Sequence, residues 1–198
     1  MKILYFTLII LLITNNSCQT LNQKNNITMN TIDIRIFEKN KKNEEYKYIE
    51  NDTVNYIVSL KDSYYLSKNT LNNPNLKTEF FYDKNTKKLT KEQQTLFNIP
   101  VGNCYEYNED GDIIKTVNYD KDFTFDSKKL IEKLIDLNVD LSKENKKTLF
   151  HRMSDGKNKP FYLLYIPIED SIGSQRMLKI DGITGQVLAD KIGRFTVE

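Results

Sequence analysis

Few side chains in this sequence could do covalent or acid–base chemistry. His151 is the single histidine in 198 residues. That excludes zinc sites built on two or three imidazoles and the two-histidine helix of a metalloprotease. The cysteines are Cys18 and Cys104. A thiol nucleophile needs a base near it in space, not in sequence, so Cys104 and His151 are the one conceivable nucleophilic pair. Against that pairing, His151 lies between Phe150 and Arg152 in a strand-like stretch, as a surface or core-edge histidine would. Cys104 falls in the strand-like Gly102-Asn103-Cys104-Tyr105-Glu106-Tyr107, where a packed structural thiol is the plainer expectation. No Cys-x-x-Cys, phosphate loop, Gly-x-Ser-x-Gly or dinucleotide fingerprint occurs. Carboxylates are plentiful, but a glycosidase needs two held at a set separation across a sugar, and spacing in sequence does not supply it. Glu109-Asp110-Gly111-Asp112 offers oxygens to a hard cation, yet lacks the 12-residue spacing and closing Glu of a calcium loop. It reads as a turn. The expectation is a protein with no catalytic residues, no metal centre and no cofactor.

The elements that carry these residues read mainly as β-strands. Ile32, Ile34 and Ile36 alternate with Asp33, Arg35 and Phe37, the pattern of a half-buried strand. Val54 to Leu60 and Thr78 to Tyr82 read likewise, and 12 Tyr with 10 Phe suit a pleated, half-buried surface. Three hairpins share similar wording: Tyr82 to Leu89, Tyr107 to Ile114 and Ile180 to Val187. Each places Asp or Asn, and two place Gly, where the chain must reverse. After Phe123-Thr124-Phe125, Asp126 or Ser127 can cap a helix over about 127–138, with Leu130, Ile131, Leu134 and Ile135 on one face and Asn138 at its end. Thr148 to Met153, Phe161 to Ile168, Arg176 to Ile180 and Gln186 to Phe195 then read as strands, with turns at Asp155-Gly156 and Ile172-Gly173. The predicted class is α+β: mainly antiparallel sheet, one principal amphipathic helix and a C-terminal β-meander. Residues 31–119 form a β-rich half and 120–198 a helix followed by antiparallel strands, the two sharing a core or standing apart.

Ahead of these elements stands a different kind of segment. Met1-Lys2 is followed by an apolar run from Ile3 to Ile13, broken only by Thr7. The run is too short to span a bilayer, which takes roughly 20 apolar residues, and it suits the apolar core of a secretory signal. Asn15-Asn16-Ser17-Cys18 follows, with a small residue before the cysteine. It resembles the lipobox of bacterial envelope lipoproteins. Asn15 stands where that family usually has leucine, and such relaxed lipoboxes look like those of Bacteroidetes. The resemblance implies removal of residues 1–17 and acylation of Cys18, which becomes the first residue and the membrane anchor; two or more chains anchor stably, at about 0.8 kcal/mol per buried methylene. The alternative is a secreted protein with Cys18 free. Residues 18–30 are polar and without period, a lipidated flexible tether. Surface-displayed lipoproteins of that family commonly carry an acidic cluster just after the cysteine, and Gln19 to Asn26 contains no Asp or Glu, so the resemblance implies an outer-membrane anchor facing the periplasm.

Composition narrows the partners. A formal net charge of +2 with dispersed lysines excludes the single-sign field of a nucleic-acid binder. Once Cys18 is assigned to lipid, Cys104 has no disulfide partner. Asp52-Thr53-Val54 and Asp170-Ser171-Ile172 match the short O-glycosylation pattern of Bacteroidetes envelope proteins.

The helix-then-strands order closes on Lys179-Ile180-Asp181-Gly182-Ile183-Thr184-Gly185-Gln186-Val187-Leu188. Over residues 120–195 it resembles PepSY-like domains of envelope proteins, whose members are generally regulatory or protease-inhibiting. That resemblance implies binding rather than catalysis. The expected function is a non-enzymatic lipoprotein that binds another protein in the envelope, in its sharper form an immunity protein that neutralises a toxin. The alternatives are a regulatory PepSY-like module and a small-ligand or glycan binder stacking its ligand on Tyr56, Tyr64, Tyr65, Tyr82 or Tyr105.

Overall fold

The computed structural model describes residues 31–141, 148–154, 159–168 and 173–194. The signal segment, Cys18, the tether, the turn expected at Asp155-Gly156 and the triplet Asp170-Ser171-Ile172 lie outside the described residues. A short helix, α1 (Arg35–Asn40), leads into seven strands: β1 (Glu45–Glu50), β2 (Thr53–Ser59), β3 (Ser63–Thr70), β4 (Asn73–Asp83), β5 (Leu89–Leu96), β6 (Ile99–Tyr107) and β7 (Ile113–Asn118). Helix α2 (Ser127–Asp136) follows, then β8 (Leu149–Ser154), β9 (Pro160–Pro167), β10 (Gln175–Asp181) and β11 (Val187–Gly193). Strands β1 to β7 form one antiparallel meander in chain order and β8 to β11 a second, so the α+β class with its C-terminal meander holds.

Turn chemistry explains the meanders. Asn51-Asp52 and Phe97-Asn98 each place two consecutive residues at positive φ, the two-residue reversal whose twist matches paired strands. The β4–β5 and β10–β11 turns are the same turn built twice. In one, Asp83 Oδ1 accepts from Asn85 N, Thr86 N and Thr86 Oγ1; in the other, Asp181 Oδ1 accepts from Ile183 N, Thr184 N and Thr184 Oγ1. The residue that closes each turn has positive φ, Lys87 at 61° and Gly185 at 73°.

The period-two reading of Ile32 to Phe37 fails. Thr31 bridges Lys88 in strand fashion, but Arg35–Asn40 is helical, because one turn of helix carries Phe37 fully into the core edge-on to Tyr64 at 5.8 Å. Alternation over six residues is too brief to separate strand from helix, and burial of one aromatic decides it. Phe37 anchors a cluster with Ile57, Tyr64, Leu66, Phe80, Tyr82 and Leu89 on one face of the seven-stranded sheet.

The second core joins the two halves of the chain. Leu96 and Val101 from β5 and β6 pack with Leu130 and Leu134 of α2 and with Phe150, Tyr162, Leu164, Leu178 and Ile180 of the four-stranded sheet. Helix α2 starts at Asp126, whose side chain accepts from Lys129 N. It ends in a Schellman arrangement: Asn138 has φ 58°, its N–H donates to Ile135 O, and Val139 N–H donates to Leu134 O, while Val139 and Leu134 meet in the core. Arg176 then ties the helix end to the sheet, donating to Leu137 O at 2.7 Å and to the Asp190 carboxylate.

Candidate functional site

The residues expected to do chemistry are not brought together. Cys104 is buried in β6, opposite Val117, whereas His151 is in β8, opposite Leu163, in the other sheet. His151 Nε2 is buried without a hydrogen-bond partner. The acidic segment at Glu109 is a turn: Asn108 Oδ1 accepts from Asp110 N and Asp112 N, Gly111 has φ 86°, and Lys88 Nζ donates to Glu109 O. A cavity of about 240 Å³ lies between that turn and Thr31, Lys88 and Tyr107. Among the described residues no cluster of three or more metal-ligating side chains occurs.

The candidate tyrosines separate by face. Tyr64 and Tyr82 are 4% and 1% exposed and lie in the Phe37 core, so they present no stacking surface to solvent. Burial pushes the Tyr82 phenol up to about 12. Tyr105 is half-buried on β6, its hydroxyl accepting from Asn103 Nδ2. Tyr56 and Tyr65 share the opposite face of the sheet from the Phe37 core, because side chains alternate along each strand. There Tyr65 lies 5.3 Å from Phe81, and its hydroxyl donates to Glu79 Oε1, while Gln93 Nε2 donates to Glu79 Oε2. Burial, and then the Glu79 carboxylate, raise the Tyr65 phenol well above its ordinary value. Three strands thus place Tyr65, Phe81 and the buried Glu79–Gln93 pair side by side.

No family model, curated protein or solved structure matches this chain. What it does must therefore be argued from its own surfaces.

The surface that stands out is the outer face of the four-stranded sheet. Register places Tyr162, Leu164, Leu178 and Ile180 inward, against α2, and their strand neighbours outward. The outward set is Leu149, His151 and Met153 on β8, Phe161, Leu163 and Tyr165 on β9, and Gln175, Met177 and Lys179 on β10. Its six apolar or aromatic members, Leu149, Met153, Phe161, Leu163, Tyr165 and Met177, belong to neither core. Leu149 is 39% and Met153 44% exposed. An antiparallel sheet with one wet face ordinarily alternates apolar and polar residues, but Phe161-Tyr162-Leu163-Leu164-Tyr165-Ile166-Pro167 is apolar or aromatic throughout. That unbroken run was the signal in the sequence; it marks a strand whose two faces both suit apolar cover. Lys179 Nζ sits 4.0 Å above the Phe161 ring at the edge of this surface.

Between the two sheets a polar staple sets their relation. The Arg152 side chain is 10% exposed, its Nη1 donates to Pro100 O, and its guanidinium lies 4.2 Å above the Phe123 ring. Nη2 stands 2.9 Å from Asp120 Oδ1, an ion pair by distance whose angle is too oblique for a hydrogen bond. Asp120 Oδ2 accepts in turn from Ser127 N and Oγ at the start of α2. The β10–β11 turn is held to the same region: Phe125 N donates to Gly182 O, Thr124 Oγ1 to Ile183 O, and Tyr162 Oη to Phe125 O. This network holds the inner face of the four-stranded sheet against α2 and the ends of β5 and β6.

Proposed function

We propose that this chain is a non-enzymatic envelope lipoprotein, anchored through Cys18 in the outer membrane on its periplasmic side, that binds another protein through the outer face of its C-terminal sheet. The observation that carries the reading is the outward apolar set of the four-stranded sheet, opposite the face that α2 covers: Leu149 and Met153 are exposed, and Phe161, Leu163, Tyr165 and Met177 are half-buried beside them. Neighbouring apolar and aromatic side chains of this kind are common in protein-binding sites. The geometry of the anchor fits. Thr31, the first described residue after the tether, bridges Lys88 at the β4–β5 end of the seven-stranded sheet, whereas the four-stranded sheet packs at the Phe97 end of β5 and β6. A chain tethered at one end would hold the binding face away from the membrane. An immunity protein that blocks a toxin in the periplasm is the sharper form of this proposal.

Intact mass and membrane fractionation from the native host, comparing wild type with Cys18→Ala, test the anchor. Acyl mass on a chain starting at Cys18, with release of the variant from membranes, is the expected result; an unmodified soluble wild type overturns the anchor. For binding, Met153→Asp combined with Leu149→Asp should abolish co-purification of a partner after crosslinking in the envelope. Undiminished recovery would move the site elsewhere.

A second reading, a glycan binder, draws support from the Tyr65–Phe81 pair, two rings tilted by 60° at 5.3 Å, beside Glu79 and Gln93, since aromatic rings with adjacent polar groups suit a sugar. Loss of retention on a peptidoglycan or lipopolysaccharide column in Tyr65→Ala would favour it. The PepSY-like alternative draws support from the order of α2 and the four-stranded meander, closed by the Asp181 turn.

A further inference from the structure

Thr31 borders a second cavity, of about 160 Å³, between the chain entering α1 and the face of the seven-stranded sheet that carries the Phe37 core. Its sheet side is made by Ile57 of β2, Leu66 of β3 and Tyr82 of β4, all buried. Facing them are Ile32 and, in α1, Ile36. Tyr48 of β1 adds a ring held by stacking on Tyr46 at 5.3 Å. Against this apolar lining stand two charged side chains, Asp33 and Lys68.

The two charges are not equivalent. Both Asp33 oxygens are engaged by Arg35, which donates from its backbone N, Nε and Nη2, and Asp33 is exposed at the rim. Lys68 follows Leu66 by two residues on β3 and so shares its face, with Nζ 5.8 Å above the Phe80 ring. A lysine at the edge of an apolar cluster ordinarily lays its stem over the cluster and delivers its ammonium to water. Here burial lowers the Lys68 pKa, and the attraction of Glu50 does not make up the difference. An anion placed beside that ammonium would therefore be favoured. Size sets the rest: a cavity of about 150 Å³ lined by aliphatic and aromatic side chains takes a single benzene ring.

We propose that this cavity binds a small apolar carboxylate, with a body the size of one ring lying against Ile57, Leu66 and Tyr82 and its carboxylate on the Lys68 ammonium. A cationic ligand of the same size would meet Lys68 and find Asp33 already engaged. The site is separate from the outer face of the four-stranded sheet, so it stands or falls independently of the protein-binding reading. Its residues come from α1, four strands and the segment after Thr31, so no spacing in the sequence marks it.

The test uses the full chain, extracted from its host in non-ionic detergent, with 4-fluorophenylacetate as the probe and fluorine NMR as the readout; detergent without protein gives the baseline. Saturable binding with a Kd of about 1 mM or tighter is expected, the range that ordinary ligand efficiency gives about ten heavy atoms. The neutral 2-(4-fluorophenyl)ethanol should bind at least about tenfold more weakly, because it forgoes the charge-assisted contact, and 2-(4-fluorophenyl)ethylamine should not bind measurably. Lys68→Met should weaken binding of the acid about tenfold or more without lowering the melting temperature, since it removes a charge whose burial is unfavourable. Lys77→Met, at a lysine outside the cavity, should leave the affinity unchanged. Leu66→Phe fills the space and should abolish binding of acid and alcohol alike; if that variant does not fold, Lys68→Met, which leaves the core intact, carries the test. Absence of saturable binding by the acid, equal affinity for acid, alcohol and amine, or affinity indifferent to Lys68→Met overturns the proposal.

Discussion

Two residues in the same position of the same turn show how context sets the cost of a side chain. Gly185 and Lys87 both close an Asp-x-x-Thr turn at positive φ. At Gly185 an added Cβ would overlap the Phe125 ring, whereas the Lys87 side chain runs out to the Lys84 carbonyl with its ammonium 4.7 Å above Tyr64. Gly185→Ala should therefore cost about 3 kcal/mol, from left-handed backbone and overpacking together. Lys87→Gly should change stability by less than about 1 kcal/mol, since the relieved backbone offsets the lost cation–π contact. Urea denaturation of both variants checks this. The turn carboxylates also make stability depend on pH. Hydrogen bonds from the Thr86 backbone lower the pKa of Asp83, and those from the Thr184 backbone lower that of Asp181. A pKa depressed in the folded state adds stability above the unfolded carboxylate range and loses it as the pH falls through the folded value. The melting temperature should fall between about pH 5 and about pH 2, and Asp83→Asn with Asp181→Asn should flatten that fall, because asparagine still accepts the turn bonds but does not titrate. An unchanged slope would place the acid sensitivity in other groups.

At the level of elements, α2 depends on its ends. Its exposed face carries Lys128, Lys129, Glu132 and Asp136, and its interior contribution rests on Leu130 and Leu134. Asp126→Ala removes the side chain that satisfies Lys129 N and should cost about 1 kcal/mol, read as a lowered melting temperature. Asn138→Gly should be neutral or slightly stabilising, since glycine takes the left-handed cap position without a Cβ penalty. The strands differ in how plainly they are written. Thr53–Ser59 and Pro160–Pro167 carry apolar runs that are readable in sequence, whereas Glu45–Glu50, with tyrosines at alternate positions, and Ser63–Thr70, with Tyr64, Tyr65 and Leu66 ahead of a polar end, carry fainter patterns. Helix α1 shows the reverse failure: an alternating pattern folded as a helix because Phe37 had a core to enter.

Across the whole molecule, Leu96, Val101, Leu130, Leu134 and Tyr162 pack in one cluster that joins the two sheets, which predicts that they unfold together. Arg152 is the test of that unity, because it touches β6 through Pro100, the α2 approach through Asp120 and Phe123, and β9 through Tyr162. Removing one partner of a buried ion pair leaves the other charge without compensation, so Arg152→Ala should cost about 3 kcal/mol. Unfolding should remain a single transition by far-ultraviolet circular dichroism and by tyrosine fluorescence. Two separate transitions in the wild type would show that the sheets fold independently.

Local signals were enough to place the hairpins at Asp83, Asn108 and Asp181, a cap at Asp126 or Ser127, the stop at Asn138 and the β-rich α+β class, because turn residues and helix ends act within a few positions of themselves; the structure chose Asp126. The same locality explains why the tyrosines could be counted but not sorted: Tyr64 and Tyr65 are adjacent in sequence and end on opposite faces of the sheet, one in the core and one beside Glu79. Which face of β9 would be covered was a matter for the fold alone. Tyr162 and Leu164 meet α2 and the ends of β5 and β6, while Phe161 and Leu163, equally apolar, face outward, because cover comes from elements distant in the chain and from the direction in which the Arg152 staple turns the second sheet.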